Sequence, residues 1–202
     1  MEKDILLSVN DAIRAIEILK EKKTLQFIKN VAEMIAETFA RGNKIIVAGN
    51  GGSLCDAMHF AEEFSGFFRE KRRAYPAICL ADPGLLTCTA NDVGYDYVFS
   101  RGVEAFGKKD DIFIALTTSG NSKNIYQAVL EAKKREMKTI CFLGKSGGIT
   151  KGLADLEWIV SGFSTSDRIQ EAHMCAIHII IEMTEKILFK KKNLEEIAAI
   201  LK

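Results

Sequence analysis

Prolines, paired cysteines, charge of one sign and long apolar runs are all scarce in this chain, and each scarcity narrows what it does. Its 202 residues include two prolines, with no repeats and no low-complexity tract. No linker divides it, and a single domain over residues 1–202 is expected. Five cysteines (Cys55, Cys79, Cys88, Cys141, Cys175) are odd in number, scattered, and never in a C-x-x-C pair. That spacing argues against a disulfide framework and against a structural zinc knuckle. With 28 basic against 27 acidic residues, the chain lacks the footprint of a nucleic-acid binder. The basic cluster Lys190-Lys191-Lys192 reads as a solvated end to a long helix. No run reaches the ~18 apolar residues of a membrane span, and no basic-then-apolar leader opens the chain. A cytoplasmic protein with neither membrane nor nucleic-acid partners is expected.

What the chain does have is apolar mass, 48% of its residues, and a regular alternation of patterns. Residues 4–20 carry Ile5, Leu6, Val9, Ile13, Ile16 and Leu19 as a helical stripe; residues 24–39 carry Leu25, Ile28, Val31, Ile35 and Phe39. Arg41-Gly42-Asn43 closes the second helix. Strand-like runs then lie near 44–48, 77–80, 112–117, 138–143 and 157–160, separated by helical stretches. This alternation predicts the α/β class: a doubly wound parallel sheet of five strands with helices on both faces. A final helix over about 167–189 is apolar around much of its circumference. Together with the two helices within residues 1–41, it offers more apolar face than one sheet covers. The surplus is read as a subunit interface of closed symmetry.

Two loops carry the chemistry. Gly49-Asn50-Gly51-Gly52-Ser53 and Thr117-Thr118-Ser119-Gly120-Asn121-Ser122 each follow a strand-like run and open a helix. Small residues let backbone N–H groups approach an anion, hydroxyls add donors, and the helix N-terminus adds its dipole. Two such loops in one small chain point to a phosphorylated ligand rather than to ordinary α/β turns. Nucleotide motifs fail here. Leu54 occupies the third glycine of a dinucleotide fingerprint, and Thr139 stands where Gly144-Lys145-Ser146 would need a P-loop glycine.

Polar residues on apolar helices mark the rest of the site. His59 and Glu63, four residues apart after the first loop, project from one helix face and suit zinc or proton transfer. A surface pair of little energetic consequence is the plain alternative. His173 and His178 are embedded in the apolar final helix, where a buried imidazole needs a partner. His178, between Ile177 and Ile179, is the harder of the two to explain as core.

Five segments in order, Gly49–Ser53, Cys55–Glu63, Asn91-Asp92 with Gly94-Tyr95, Thr118–Ser122 and Arg168–Glu171, resemble the phosphoheptose isomerases of the sugar isomerase (SIS) superfamily. The run from His59 to Glu63 is the specific part; the loops alone indicate only the superfamily. The resemblance implies a homotetramer with active sites between subunits, a zinc ion, and conversion of sedoheptulose 7-phosphate into D-glycero-D-manno-heptose 7-phosphate. That reaction opens bacterial heptose synthesis for lipopolysaccharide, capsule or other surface polysaccharide.

Position by position, the resemblance implies that Asn50, Gly51, Gly52, Ser53, Asn91 and Asp92 contact the substrate, with its phosphate against Thr117, Thr118, Ser119 and Ser122. It assigns zinc to His59, Glu63, Gln170 and His178, with Gln170 also meeting substrate. Gln170 and His178 stand about 12 Å apart along a regular helix, so both reach one ion only if the side chains converge, the helix distorts, or different subunits contribute. Glu63 is expected to take a proton from C1 of the ketose, and His178 to protonate on the opposite side. The alternatives are a non-catalytic SIS module of the replication-initiator-associating type, an isomerase of another sugar phosphate, and a sugar-phosphate-sensing regulatory domain. Retention of Glu63 together with His178 argues for the isomerase.

Overall fold

Five short apolar runs pair as parallel strands in the order β2-β1-β3-β4-β5. They are β1 (Ile45–Gly49), β2 (Ala77–Cys79), β3 (Ile112–Thr117), β4 (Lys138–Gly144) and β5 (Leu156–Val160). The structure is a computed structural model that describes the backbone of residues 1–200 and the side chains of residues 1–190. The side chains of Lys191 and Lys192 therefore lie outside the described residues. Helices α1 (Glu2–Glu17), α2 (Lys22–Ala40), α3 (Gly52–Ser65), α4 (Pro83–Asp92), α5 (Val98–Phe106), α6 (Lys123–Lys134) and α7 (Ser166–Ile200) surround the sheet.

Two departures from the sequence pattern have simple causes. Only a 3-10 turn, Gly148–Thr150, lies between β4 and β5 instead of a helix. Its stretch is rich in glycine, and Gly147, Gly148 and Gly152 all adopt positive φ, which a regular helix does not tolerate. The last helix continues past Phe189 to Ile200, because lysine is a good helix former and does not end a helix by itself.

Strand alternation divides the interior into two cores. Ile45, Val47, Ile112, Ile114, Leu116, Ile140, Phe142, Trp158 and Val160 pack with α2, α3 and α7. Their neighbours Ile46, Ala48, Phe113, Ala115, Cys141 and Leu143 pack with α5 and α6. β1 therefore sends its helix α3 to one face, while the adjacent β3 sends α6 to the other. That reversal opens a crevice at the carboxyl ends of β1 and β3, where open α/β sheets bind ligands. Both loops singled out in the sequence emerge there.

The N-terminal stripe behaves as a surplus face. In α1 only Ala15 is buried, while Ile5, Leu6, Val9 and Ile13 are all exposed. In α2 the stripe is buried apart from Leu25.

His173 belongs to the core. It has no exposed surface, and its ring lies 5.6 Å from Phe142 and 5.7 Å from Trp158. Nε2 lies 3.1 Å from the carbonyl of Leu143, an acceptor, so Nε2 carries the hydrogen and the ring is neutral. Nδ1 has no partner. Burial pushes this imidazole down from 6.5 to about 4, against the opposing bond to Leu143. Unfolded His173 takes a proton near pH 6.5 and the folded ring only near 4, so stability is complete above 6.5 and declines as pH falls towards 4. The difference is worth about 3 kcal/mol. Thermal melts at pH 7.5 and pH 5 should therefore lie closer together in His173→Leu than in the native protein; an unchanged gap would refute this account.

Candidate active site

The first loop is shaped by glycines. A side chain on Gly49 would stand 2.4 Å from the carbonyl of Ser53, so the strand turns into α3 only because that space is free. Gly51 adopts φ 55° and ψ −123° at the N-cap, a conformation that L side chains resist. Ser53 is buried in the first turn.

The second loop is tied down by its own hydroxyls. Thr117 Oγ1 accepts from the N–H of Gly120 at 3.1 Å and lies 3.4 Å from Ser122 Oγ. Ser119 Oγ accepts from the N–H of Asn121 at 3.1 Å, and Thr118 donates to Ser166 at 3.0 Å. Gly120, at φ 67°, sits so close to Gly147 that an added Cβ would fall 1.9 Å from its carbonyl oxygen. The Gly120 carbonyl in turn accepts from the N–H and hydroxyl of Thr150 at 3.0 and 2.8 Å.

A reciprocal amide pair joins the two loops across the crevice: Asn50 and Asn124 each donate to the other at 2.9 Å. The Tyr95 hydroxyl donates to Asn50 Oδ1 at 2.9 Å. Asn91 and Asp92 end α4, three residues before that tyrosine, and bond to each other at 2.6 Å. Nothing in the spacing of the sequence singled out Asn124 or Tyr95. Their importance follows from the fold bringing α6 and the α4–α5 connection to the first loop.

Gly52, Asp56, His59 and Glu63 recur at helical spacing along one face of α3, and this face meets α7. Gln170 lies against Gly52, where an added Cβ would be 2.5 Å from Gln170 Nε2. One level further along both helices, His59 Nε2 is 3.0 Å from His178 Nε2 and 3.4 Å from Glu63 Oε1. Arg69 then reaches Glu182 at 2.9 Å, and Arg72 reaches Glu185. Because partners advance together on both sides, the two helices run parallel.

One ligand atom each from His59, Glu63 and His178 lies within 4.8 Å of the other two, close enough to hold a metal ion. Two imidazole nitrogens and a carboxylate oxygen suit a divalent transition metal with positions left for substrate. Glu62 Oε1, 3.1 Å from His59 Nδ1, favours the hydrogen there and turns the Nε2 lone pair towards the cluster. Of the four ligands that the resemblance implied, these three converge. Gln170 stands by the first loop instead, two turns earlier on α7.

Burial, then the charges of His59 and Arg69, hold His178 below the usual histidine range, with Glu63 opposing. Phe68 stacks on its ring, centroids 5.8 Å apart. Sequence reading also passed over Asp56, one turn before His59. Burial raises its carboxyl to about 6, partly offset by His59, and its Oδ2 has no partner. Its spacing from Gly52 and His59 was the available signal.

These features lie on a SIS scaffold: residues 9–144 match the SIS domain family model. A phosphoheptose isomerase of Fusobacterium nucleatum is 49% identical over 180 residues, covering 89% of this chain and 92% of that protein. One of Vibrio cholerae is 52% identical over 170 residues, covering 84% and 89%. The solved phosphoheptose isomerase of Francisella tularensis superposes with a TM-score of 0.86 at 31% identity, covering 92% of this chain and 99% of that one. The chain therefore belongs to the phosphoheptose isomerases, aldose–ketose isomerases built on a SIS domain.

Gly120→Ala tests the second loop. Strain at positive φ and collision with Gly147 should cost about 2–4 kcal/mol in urea unfolding. The folded fraction should also lose affinity for inorganic phosphate in calorimetric titration. Native stability together with native phosphate affinity would show that the loop is not held in this way.

Proposed function

We propose that this chain converts sedoheptulose 7-phosphate into D-glycero-D-manno-heptose 7-phosphate through an enediol, with Glu63 and His178 as its proton-handling pair. The observation that carries this reading is the convergence of Glu63, His59 and His178 on one seam that begins at the phosphate-type loops. The phosphate rests against Thr117, Thr118, Ser119 and Ser122, with the free N–H groups opening α6 behind them. Asn50, Gly51, Gly52, Ser53 and Gln170 line the path towards the reacting carbons, and Asn91 and Asp92 close it from α4.

Anchoring the distant phosphate holds C1 and C2 in place and converts binding energy into orientation. Glu63 removes a proton from C1 of the ketose, and the electron pair forms the C1–C2 double bond as the carbonyl oxygen at C2 gains a proton. Loss of the C1 hydroxyl proton and delivery of a proton to C2 then yield the aldehyde at C1. His178 serves the face opposite Glu63. His59, Glu63 and His178 would hold zinc, with Gln170 as the fourth residue of the family pattern. When bound, the ion would polarise the carbonyl and neutralise developing oxyanion charge.

The assembly is a homotetramer with active sites between subunits. The exposed apolar side chains of α1, among them Ile5, Leu6 and Ile13, support this by offering a face that water does not favour. A sugar phosphate substrate and five unpaired cysteines support a cytoplasmic setting. The product serves heptose units of surface polysaccharide, lipopolysaccharide or capsule.

Incubating the purified protein with sedoheptulose 7-phosphate should yield the aldose phosphate. A chelator should abolish turnover and zinc should restore it. Glu63→Gln should lower kcat by about 10³-fold while inorganic phosphate binding stays near native. Near-native turnover in that variant would remove Glu63 from the chemistry, and turnover indifferent to chelation would remove the metal.

A further inference from the structure

Beyond the reacting groups, the segment between α3 and β2 folds back beneath them and places one arginine inside the protein. The side chain of Arg72 is 4% exposed and that of Glu185 is 5% exposed. Arg72 Nε donates to Glu185 Oε1 at 2.5 Å. Its Nη1 donates to the carbonyls of Phe64, Gly66 and Arg73 at 2.9, 2.9 and 3.0 Å. Its Nη2 donates to the carbonyl of Glu63 at 2.8 Å. The Tyr75 ring covers the guanidinium, 4.6 Å from its central carbon. Every nitrogen of the group is thus engaged, at the end of α3 where backbone carbonyls lack helical partners.

We infer that Arg72, through Glu185, is the positioning residue that sets where Glu63 stands relative to His178. One guanidinium grips the backbone of Glu63 itself. The same group is locked to α7 at Glu185, two turns after His178. The two helices that carry the reacting groups therefore share one fixed point beneath the site. A buried ion pair contributes little net stability compared with an apolar pair of similar size. Its physical yield here is a register: α3 cannot slide along α7 without breaking several charge-assisted bonds at once. The fork geometry is specific to arginine, since a lysine ammonium cannot reach Glu185 and the helix-end carbonyls together.

This inference rests on Glu63 and His178 acting as proposed above, and the test separates the two. Arg72→Lys, Glu185→Gln and the paired Arg72→Met/Glu185→Met change would be compared with the native enzyme. Measurements would be made below each melting transition, for kcat and KM with sedoheptulose 7-phosphate and for zinc affinity by competition with a chromophoric chelator. Glu185→Gln keeps volume and a hydrogen-bond acceptor but leaves the buried Arg72 charge unpaired, whereas the double change replaces the ion pair with apolar packing, so the double variant tests position without a stranded charge. Expected is a fall in kcat of about 10–100-fold, KM within about twofold of native, and zinc affinity weakened about tenfold or more. Native kcat and zinc affinity in the folded double variant would overturn the inference, as would a rise in KM with kcat intact. Glu63→Gln run alongside distinguishes the failures: if that variant keeps native turnover the catalytic reading falls, while the zinc competition still reports whether Arg72 positions the cluster.

Discussion

The cluster of His59, Glu63 and His178 depends on α3 and α7 lying side by side and pointing the same way. These helices are far apart in the chain, yet they share one core with β1, β3, β4 and β5. Ala57, Phe60, Ala61 and Phe64 turn the opposite side of α3 into that core, and Ile169, Ala172, Ala176, Ile177 and Ile180 do the same for α7. With those faces committed to burial, Gly52, His59 and Glu63 have one remaining neighbour, the polar stripe of α7. A glycine at the start of the seam lets Gln170 come close, and arginine–glutamate pairs close it at the far end.

The sheet supplies the second requirement. Since α3 and α6 leave adjacent strands for opposite faces, their N-termini open towards a common crevice. Asn50 and Asn124 hold the two loops to each other, and Gly120 locks the second loop onto the β4–β5 connection. The backbone and hydroxyl groups of both loops are thus fixed by bonds within the protein itself.

Much of this was legible in the residues. The five strands fell within a residue or two of their observed bounds, because buried parallel strands read as apolar runs bracketed by glycine and polar turns. The pairing of His59 with Glu63 followed from helical spacing alone. Partnership with His178 did not, since no local pattern encodes which helix lies next to α3. The same limit hid Asn124, Arg72 and Glu185, and the bond that Tyr95 makes to Asn50, each meaningful only through a contact across the fold. Sequence pattern marked His178 as harder to explain as core than His173 but could place neither ring. Three-dimensional packing separates them: one ring is sealed between Phe142 and Trp158, while the other lies part-buried between Phe68 and His59. The missing helix before β5 was lost to a cluster of glycines whose positive φ values the pattern does not announce.

Glu63 and His178 come from a single polypeptide, although the greasy exterior of α1 invites neighbouring copies. Diluting any such assembly into separate protomers would therefore leave these two side chains, with His59, side by side in each one. What each isolated copy would take on is water against the apolar face of its first helix.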